Sequence, residues 1–273
     1  LLSLSGDEGD EHKWVVPSAV STETHKELTI RQLLHHLGFF ASDAVLENAV
    51  SAFFTKRAER ASAYVNQHLR DPDDPSGLLL DISSTADLLD RLRFSSLILE
   101  EGTIRRCSTH ELHTSVSAFL DLRPDGYAVH KKSKRLAILE FTRAMDSSDE
   151  WELQKDAEKR KRYAPVLEFF NSLPDRQGWS LIQFNFTVGV RGSISTEDRT
   201  DPLSFVSTLK ALGISSQANL EKIRKRVAKR TFEAHDLMLR SYYAVKFSSS
   251  TSVDLSRLLG NSFALQHCLR LPI

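Results

Sequence analysis

The stretch RPDGYAVHKKSKRLAILEFTR, residues 123–143, decides how this chain is read. Apolar and polar residues alternate on both sides of a basic run, which predicts strands over 119–131 and 135–143 joined by a turn. Side chains alternate along a strand, so Asp125, Tyr127 and Val129 share one face, as do Ile138, Glu140 and Thr142 on the next strand. A turn centred on Lys132 and Ser133 leaves Asp125 and Glu140 equally far from its centre, and therefore directly opposed. Opposed side chains have Cβ atoms about 4.5–5.5 Å apart, where like charges repel. A divalent cation such as Mg2+ offsets that repulsion, because hard ions take carboxylate oxygens. The alternative is a register shifted by one residue, which turns one acid to solvent; Lys-Ser is a poor two-residue turn, so a four-residue loop or a bulge fits as well.

Working outward, Ser147–Leu173 reads as a long helix opened by SSDE, with Ser147 and Glu150 at capping-box spacing. Its apolar stripe through Tyr163, Val166, Leu167 and Phe170 runs back by helical steps to Lys159, Asp156 and Glu152. An inward stripe that turns polar suits a cleft over the hairpin, where Lys159 can approach the acids and stabilise charge on an attacked phosphodiester. Arg160 and Lys161, in EKRKR at 158–162, read as a solvated face. WSLIQFNFTVGV at 179–190 is the strongest strand signal, and Gln183 and Asn185 make one of its faces partly polar, with Gln183 a further candidate site residue. Helices are expected over 201–212 and 219–245. The order helix, strand, strand, helix, strand, helix implies an α/β (α+β) fold, a mixed sheet flanked by helices.

Upstream, residues 1–23 form an expected flexible lead-in with the acidic cluster Asp7, Glu8, Asp10 and Glu11. From Thr24 to Leu69 the apolar spacing predicts two or three amphipathic helices, broken by DPDDPSG at 71–77 and followed by a helix over Ser84–Leu99. The expected division is therefore a lead-in at 1–23, a helical domain at 24–99 and a second domain at 100–273. With 41% hydrophobic residues in 273, the chain can bury a sizeable core. Lys+Arg and Asp+Glu both total 36, so whole-chain charge argues neither for nor against a polyanionic partner. Cys107 and Cys268 are too few for a disulfide scaffold, which favours a reducing compartment. No apolar run is long enough to span a bilayer. A start at Leu1 rather than Met carries the expectation of a fragment with a module upstream.

Three features together resemble the PD-(D/E)XK, or restriction-endonuclease-like, nuclease superfamily: Pro-Asp at 124–125, a strand ending in EFT at 140–142, and a Lys on the next helix. More narrowly, RPDG, LEFTR, KRYAPVL and GWSLIQFNFTVGVRGS are similar to restriction-like endonuclease modules of retroelement-type open reading frames, over roughly residues 100–245. The resemblance implies an αβββαβ core, Mg2+ or Mn2+ held by Asp125, Glu140 and the Phe141 carbonyl, and hydrolysis of DNA phosphodiesters in an intracellular, nuclear setting. Thr142 stands where the basic motif has Lys, and a hydroxyl supplies no cation. Some members carry that Lys on the following helix, which assigns the role to Lys159 with Tyr163 beside it. A further acid often comes from the helix before the first strand; Glu100, Glu101 and Glu111 are the candidates. Cutting both strands of a duplex implies two sites, hence a homodimer.

KIRKRVAKR at 222–230 carries Lys222, Arg224, Lys225, Arg226, Lys229 and Arg230, enough charge to contact several phosphates of DNA, or of RNA as the alternative polymer. The competing reading is a solvated helix face whose stems cover apolar neighbours. HELH at 110–113 lacks the spacing that aims two imidazoles at one zinc and reads as incidental. Two further readings compete with an endonuclease: an inactive nuclease-fold module that binds nucleic acid or a protein, favoured by Thr142 and the zero net charge, and a purely helical interaction protein, which requires the hairpin register to fail.

Overall fold

The computed structural model describes residues 28–71, 73, 82–146, 150–174, 178–195, 197, 199–200 and 202–247. The acidic lead-in, most of DPDDPSG, the Ser147 cap and Cys268 lie outside the described residues. Two compact units divide the chain. The first holds the described residues up to Pro124 together with Tyr163–Ser180, and the second holds Asp125–Arg162 together with residues from Leu181 onward. No described helix is long and apolar enough to cross a membrane.

The first unit opens with helices Ile30–His36 (α1), Asp43–His68 (α2) and Ile82–Leu92 (α3). Thr29 and Gln32 close a capping box on α1, each side chain accepting the other's backbone N–H at 3.1 and 3.0 Å. α2 buries Leu46, Val50, Phe54, Ala61 and Val65 at helical spacing. Phe54 meets Phe119 edge-to-face at 5.5 Å, and Phe119 meets Phe169 likewise at 5.7 Å. Such pairs add about 0.5–1.5 kcal/mol beyond area burial.

Helix α3 stops at Leu92, short of the expected Leu99. Phe94 adopts φ 50°, a left-handed conformation that ends the helix, and Leu97–Glu100 (β1) folds back on Thr103–Arg106 (β2) through Glu101 and Gly102, both at positive φ. Thr109–Leu120 (α4) takes the first residues of the strand expected at 119–131. Ser108 and Glu111 form its capping box, and Val116, Phe119 and Leu120 its buried stripe. A short apolar run suits helix or strand equally, and here the cap decides. Arg105 forks between Glu111 and Glu100 at 2.7 and 2.8 Å. Its guanidinium, followed by the Ser108 N–H and hydroxyl, holds the Glu111 carboxyl well below the usual range.

In the second unit, Gly126–His130 (β3) and Arg135–Ala144 (β4) pair antiparallel, Gly126 opposite Leu139 and His130 opposite Arg135. That register is the one a turn centred on Lys132 and Ser133 requires. The loop has four residues: Lys134 N–H donates to the Lys131 carbonyl at 3.0 Å, and Lys134 turns the chain at φ 49°. Ser180–Gly189 (β5) flanks β4 on its other side. Val190 N–H donates to the Ala144 carbonyl at 2.9 Å, so the C-terminal ends of β4 and β5 adjoin and the two run parallel. Trp151–Ser172 (α5) makes the crossover that a parallel pair needs. The result is a mixed α/β fold with helices flanking a small mixed sheet. In chain order the elements run α4-β3-β4-α5-β5, with two strands between the helices where αβββαβ has three.

One face of the sheet is apolar. Ala128, Ala137 and Leu139 with Phe184, Phe186 and Val188 pack against Phe205–Ala211 (α6) and Gln217–Phe247 (α7), which contribute Phe205, Leu209, Leu220, Ile223 and Val227. Each large side chain buried there contributes about 1.5–3 kcal/mol. At the sheet's end Asp146 accepts from Arg191 Nε at 3.0 Å and from the Ser193 hydroxyl. Burial alone would raise its carboxyl, but the hydrogen bonds from Ser193 and Arg191 outweigh it and hold it below the usual range. A Cβ at Gly189 would lie 2.6 Å from Asp146 Oδ2, so a side chain there would displace Asp146.

Candidate functional site

Asp125 immediately precedes β3, and extending the ladder by one pair sets it opposite Glu140. The two acids bond reciprocally. Asp125 N–H donates to Glu140 Oε1 at 3.3 Å, and Phe141 N–H donates to Asp125 Oδ2 at 2.7 Å, so each carboxylate holds an amide of the other's strand. Lys159 Nζ donates to Glu140 Oε2 at 2.7 Å. The Glu140 side chain is 2% exposed and that of Lys159 15%, while Asp125 is half-buried. Two carboxylates against one ammonium leave the cluster with a net negative charge. Tyr127 shares this face; burial first, and the charge of Glu140 second, raise its phenol above the usual range and keep the hydroxyl protonated.

Lys159 reaches Glu140 because the first turns of α5 lie over the polar face of β5. Gln183 Nε2 donates to the Lys159 carbonyl at 3.2 Å and to Asn185 Oδ1 at 2.7 Å. Asn185 Nδ2 in turn donates to Asp156 Oδ1 at 2.7 Å, and Arg160 Nε donates to Asp156 Oδ2 at 2.6 Å. Asp156 and Glu152 are buried, Glu152 against the Arg199 guanidinium at 2.5 Å. Burial raises the Glu152 carboxyl, with Arg199 opposing that rise. The line Gln183–Asn185–Asp156 therefore fixes the rotation of α5 and with it the reach of Lys159.

The donors at the acid pair are oxygens, the kind hard divalent cations take, rather than the sulfur and imidazole sets of zinc. Among the described residues no three His, Cys, Asp or Glu side chains are arranged to hold a metal ion. A cation here would rest on the Asp125 and Glu140 carboxylates, the Phe141 carbonyl and solvent. The donor chemistry fits that group.

Thr142 lies on the same face as Glu140 and is half-buried. Tyr163 is fully buried, and its hydroxyl donates to the Arg123 carbonyl at 3.3 Å within the first unit. Glu100 and Glu111 share Arg105 in that unit. His110 and His113 are exposed. On α7, Lys222, Lys225, Arg226, Lys229 and Arg230 are exposed and Arg224 is partly covered. Sequence reading missed Asp146 with Arg191 and Glu152 with Arg199. Arg160, read as solvated, is 45% exposed yet paired with Asp156; the i, i+4 spacing of the two residues was the available signal.

No protein-family model matches the chain, and no curated protein is significantly similar to it.

Proposed function

We propose that the second unit is a divalent-metal-dependent endonuclease that hydrolyses DNA phosphodiester bonds on a reduced restriction-endonuclease-like core, as part of a mobile element or larger nuclease-like protein. One observation carries the reading. Two carboxylates from adjacent strands meet at the open end of a hairpin, and a partly buried ammonium closes on one of them. Asp125, Glu140 and the Phe141 carbonyl would hold Mg2+ or Mn2+, which supplies Lewis-acid polarisation of a phosphoryl oxygen. Lys159 orients Glu140 and offers positive charge to the phosphate, the task Thr142 cannot perform. Thr142, half-buried on the face of Glu140, lines the approach, whereas the buried Tyr163 has its hydroxyl on the Arg123 carbonyl of the first unit and takes no part. A homodimer would place two sites on a duplex. The nucleus is the expected place of action.

The reciprocal bonds favour a second reading. Each acid is already satisfied by a strand amide, as in a nuclease-fold module that binds without cutting. Incubating plasmid DNA with Mg2+ or Mn2+ separates the two. Cleavage by the parent protein is expected to fall roughly 100-fold or more in Asp125→Asn and Glu140→Gln. Equal cleavage by all three removes the acids from the chemistry, and binding without cleavage under either ion selects the second reading.

A further inference from the structure

The basic stripe of α7 and the acid pair belong to opposite faces of one sheet. Leu220, Ile223 and Val227 of α7 pack on the face formed by Ala128, Ala137, Leu139, Phe184 and Phe186. Glu140 faces the other way, toward Lys159 of α5, on the side where Gln183 and Asn185 meet that helix. At about 100° per residue, Lys225, Lys229, Lys222 and Arg226 fall on a single arc of α7 turned away from the buried Leu220, Ile223 and Val227, and Arg230 continues it at the edge next to Ile223. These five are all exposed. Glu221 pairs with Arg224 and Lys225, and Glu233 with Lys229 and Arg230, whereas Lys222 and Arg226 form no ion pair among the described residues. The cations therefore outnumber the acids on the arc.

We infer that this arc is a second nucleic-acid surface, separate from the cleft, which grips backbone phosphates on the far side of the sheet from the reacting phosphodiester. A sheet and a helix about 10–12 Å thick stand between the two. A phosphate seated on the arc is not the one presented to Asp125 and Glu140. The arc runs for about 12 Å along the helix axis, which matches three or four consecutive phosphates of one strand. Charge complementarity selects the occupant: along the stripe the five exposed cations outnumber Glu221 and Glu233, which suits backbone phosphates rather than base edges. The inference rests on the hydrolase reading only for the position of the cleft.

The test uses the full chain with Lys222, Lys225, Arg226, Lys229 and Arg230 all replaced by Gln. Binding to duplex DNA is measured in EDTA across a salt series, so no turnover is needed. Hydrolysis of a small phosphodiester, bis(p-nitrophenyl) phosphate, is measured separately with Mn2+. The variant is expected to lose roughly tenfold or more in duplex affinity, with the salt slope shallower by about 3–4, while its rate on the small ester matches that of the parent. An unchanged affinity and slope overturns the inference, as does a fall in small-ester hydrolysis equal to the loss on DNA, which would put the arc inside the cleft. If no version hydrolyses the ester, the endonuclease reading fails, and the EDTA binding series still decides whether the arc holds DNA.

Discussion

Replacing Lys159 with methionine is expected to cost about 3–5 kcal/mol of stability, read as a fall in the urea midpoint at constant slope. The Glu140 side chain is 2% exposed, and Lys159 is the cation bonded to it at 2.7 Å. Removing the ammonium strands a buried carboxylate beside Asp125, whose backbone N–H is the donor left on Glu140 Oε1. The double variant Lys159→Met/Glu140→Gln is expected to recover most of the loss, because two neutral groups of similar shape leave no unpaired charge. Glu140→Gln alone should cost less than Lys159→Met: the lysine stem is long enough to carry its ammonium to solvent, and Asp125 keeps a negative charge nearby. A Lys159→Met loss below about 1 kcal/mol, with no recovery in the double variant, would mean that the pair does not couple α5 to the sheet.

Gly192→Ala is expected to destabilise the second unit by about 2–4 kcal/mol, combining backbone strain with overpacking. Gly192 sits at φ +87°, and a Cβ there would lie 2.5 Å from the carbonyl oxygen of Ala228. The obstacle is backbone inside α7, so no rotamer change relieves it. Either the turn after β5 or α7 must shift, and α7 carries Leu220, Ile223 and Val227 into the core. A drop in melting temperature together with faster amide exchange in α7 is the expected signature. An alanine variant with the parent's melting temperature would contradict the close approach of turn and helix.

The hairpin was legible because its two halves are symmetrical about Lys132 and Ser133 and alternate with the period of a strand. A turn centred there places Asp125 opposite Glu140, while the shifted register that the residues also allowed is excluded by the pairing of Gly126 with Leu139. The polar start of α5 was legible for the same reason, as Glu152, Asp156 and Lys159 continue the stripe of Tyr163, Val166 and Phe170. The segment between α3 and β3 was not. Its helix stop is Phe94 at φ 50°, and a bulky residue in that conformation carries no sequence signal comparable to glycine. Its strands β1 and β2 are four residues each, below the length at which alternation separates them from a helix end. Nor does local pattern foretell partners far apart in sequence: Arg191 lies 45 residues from Asp146, and Arg199 lies 47 from Glu152.

The central claim is that two opposed carboxylates form a seat for a hard cation, and calorimetric titration with Mn2+ addresses it without requiring activity or DNA. The parent protein is expected to bind one ion per chain, with heat lost in both Asp125→Asn and Glu140→Gln and retained when the five basic residues of α7 are replaced by Gln. Undiminished Mn2+ binding in the two acid variants, or none in the parent, would contradict the account and leave the acids as a clasp between strands.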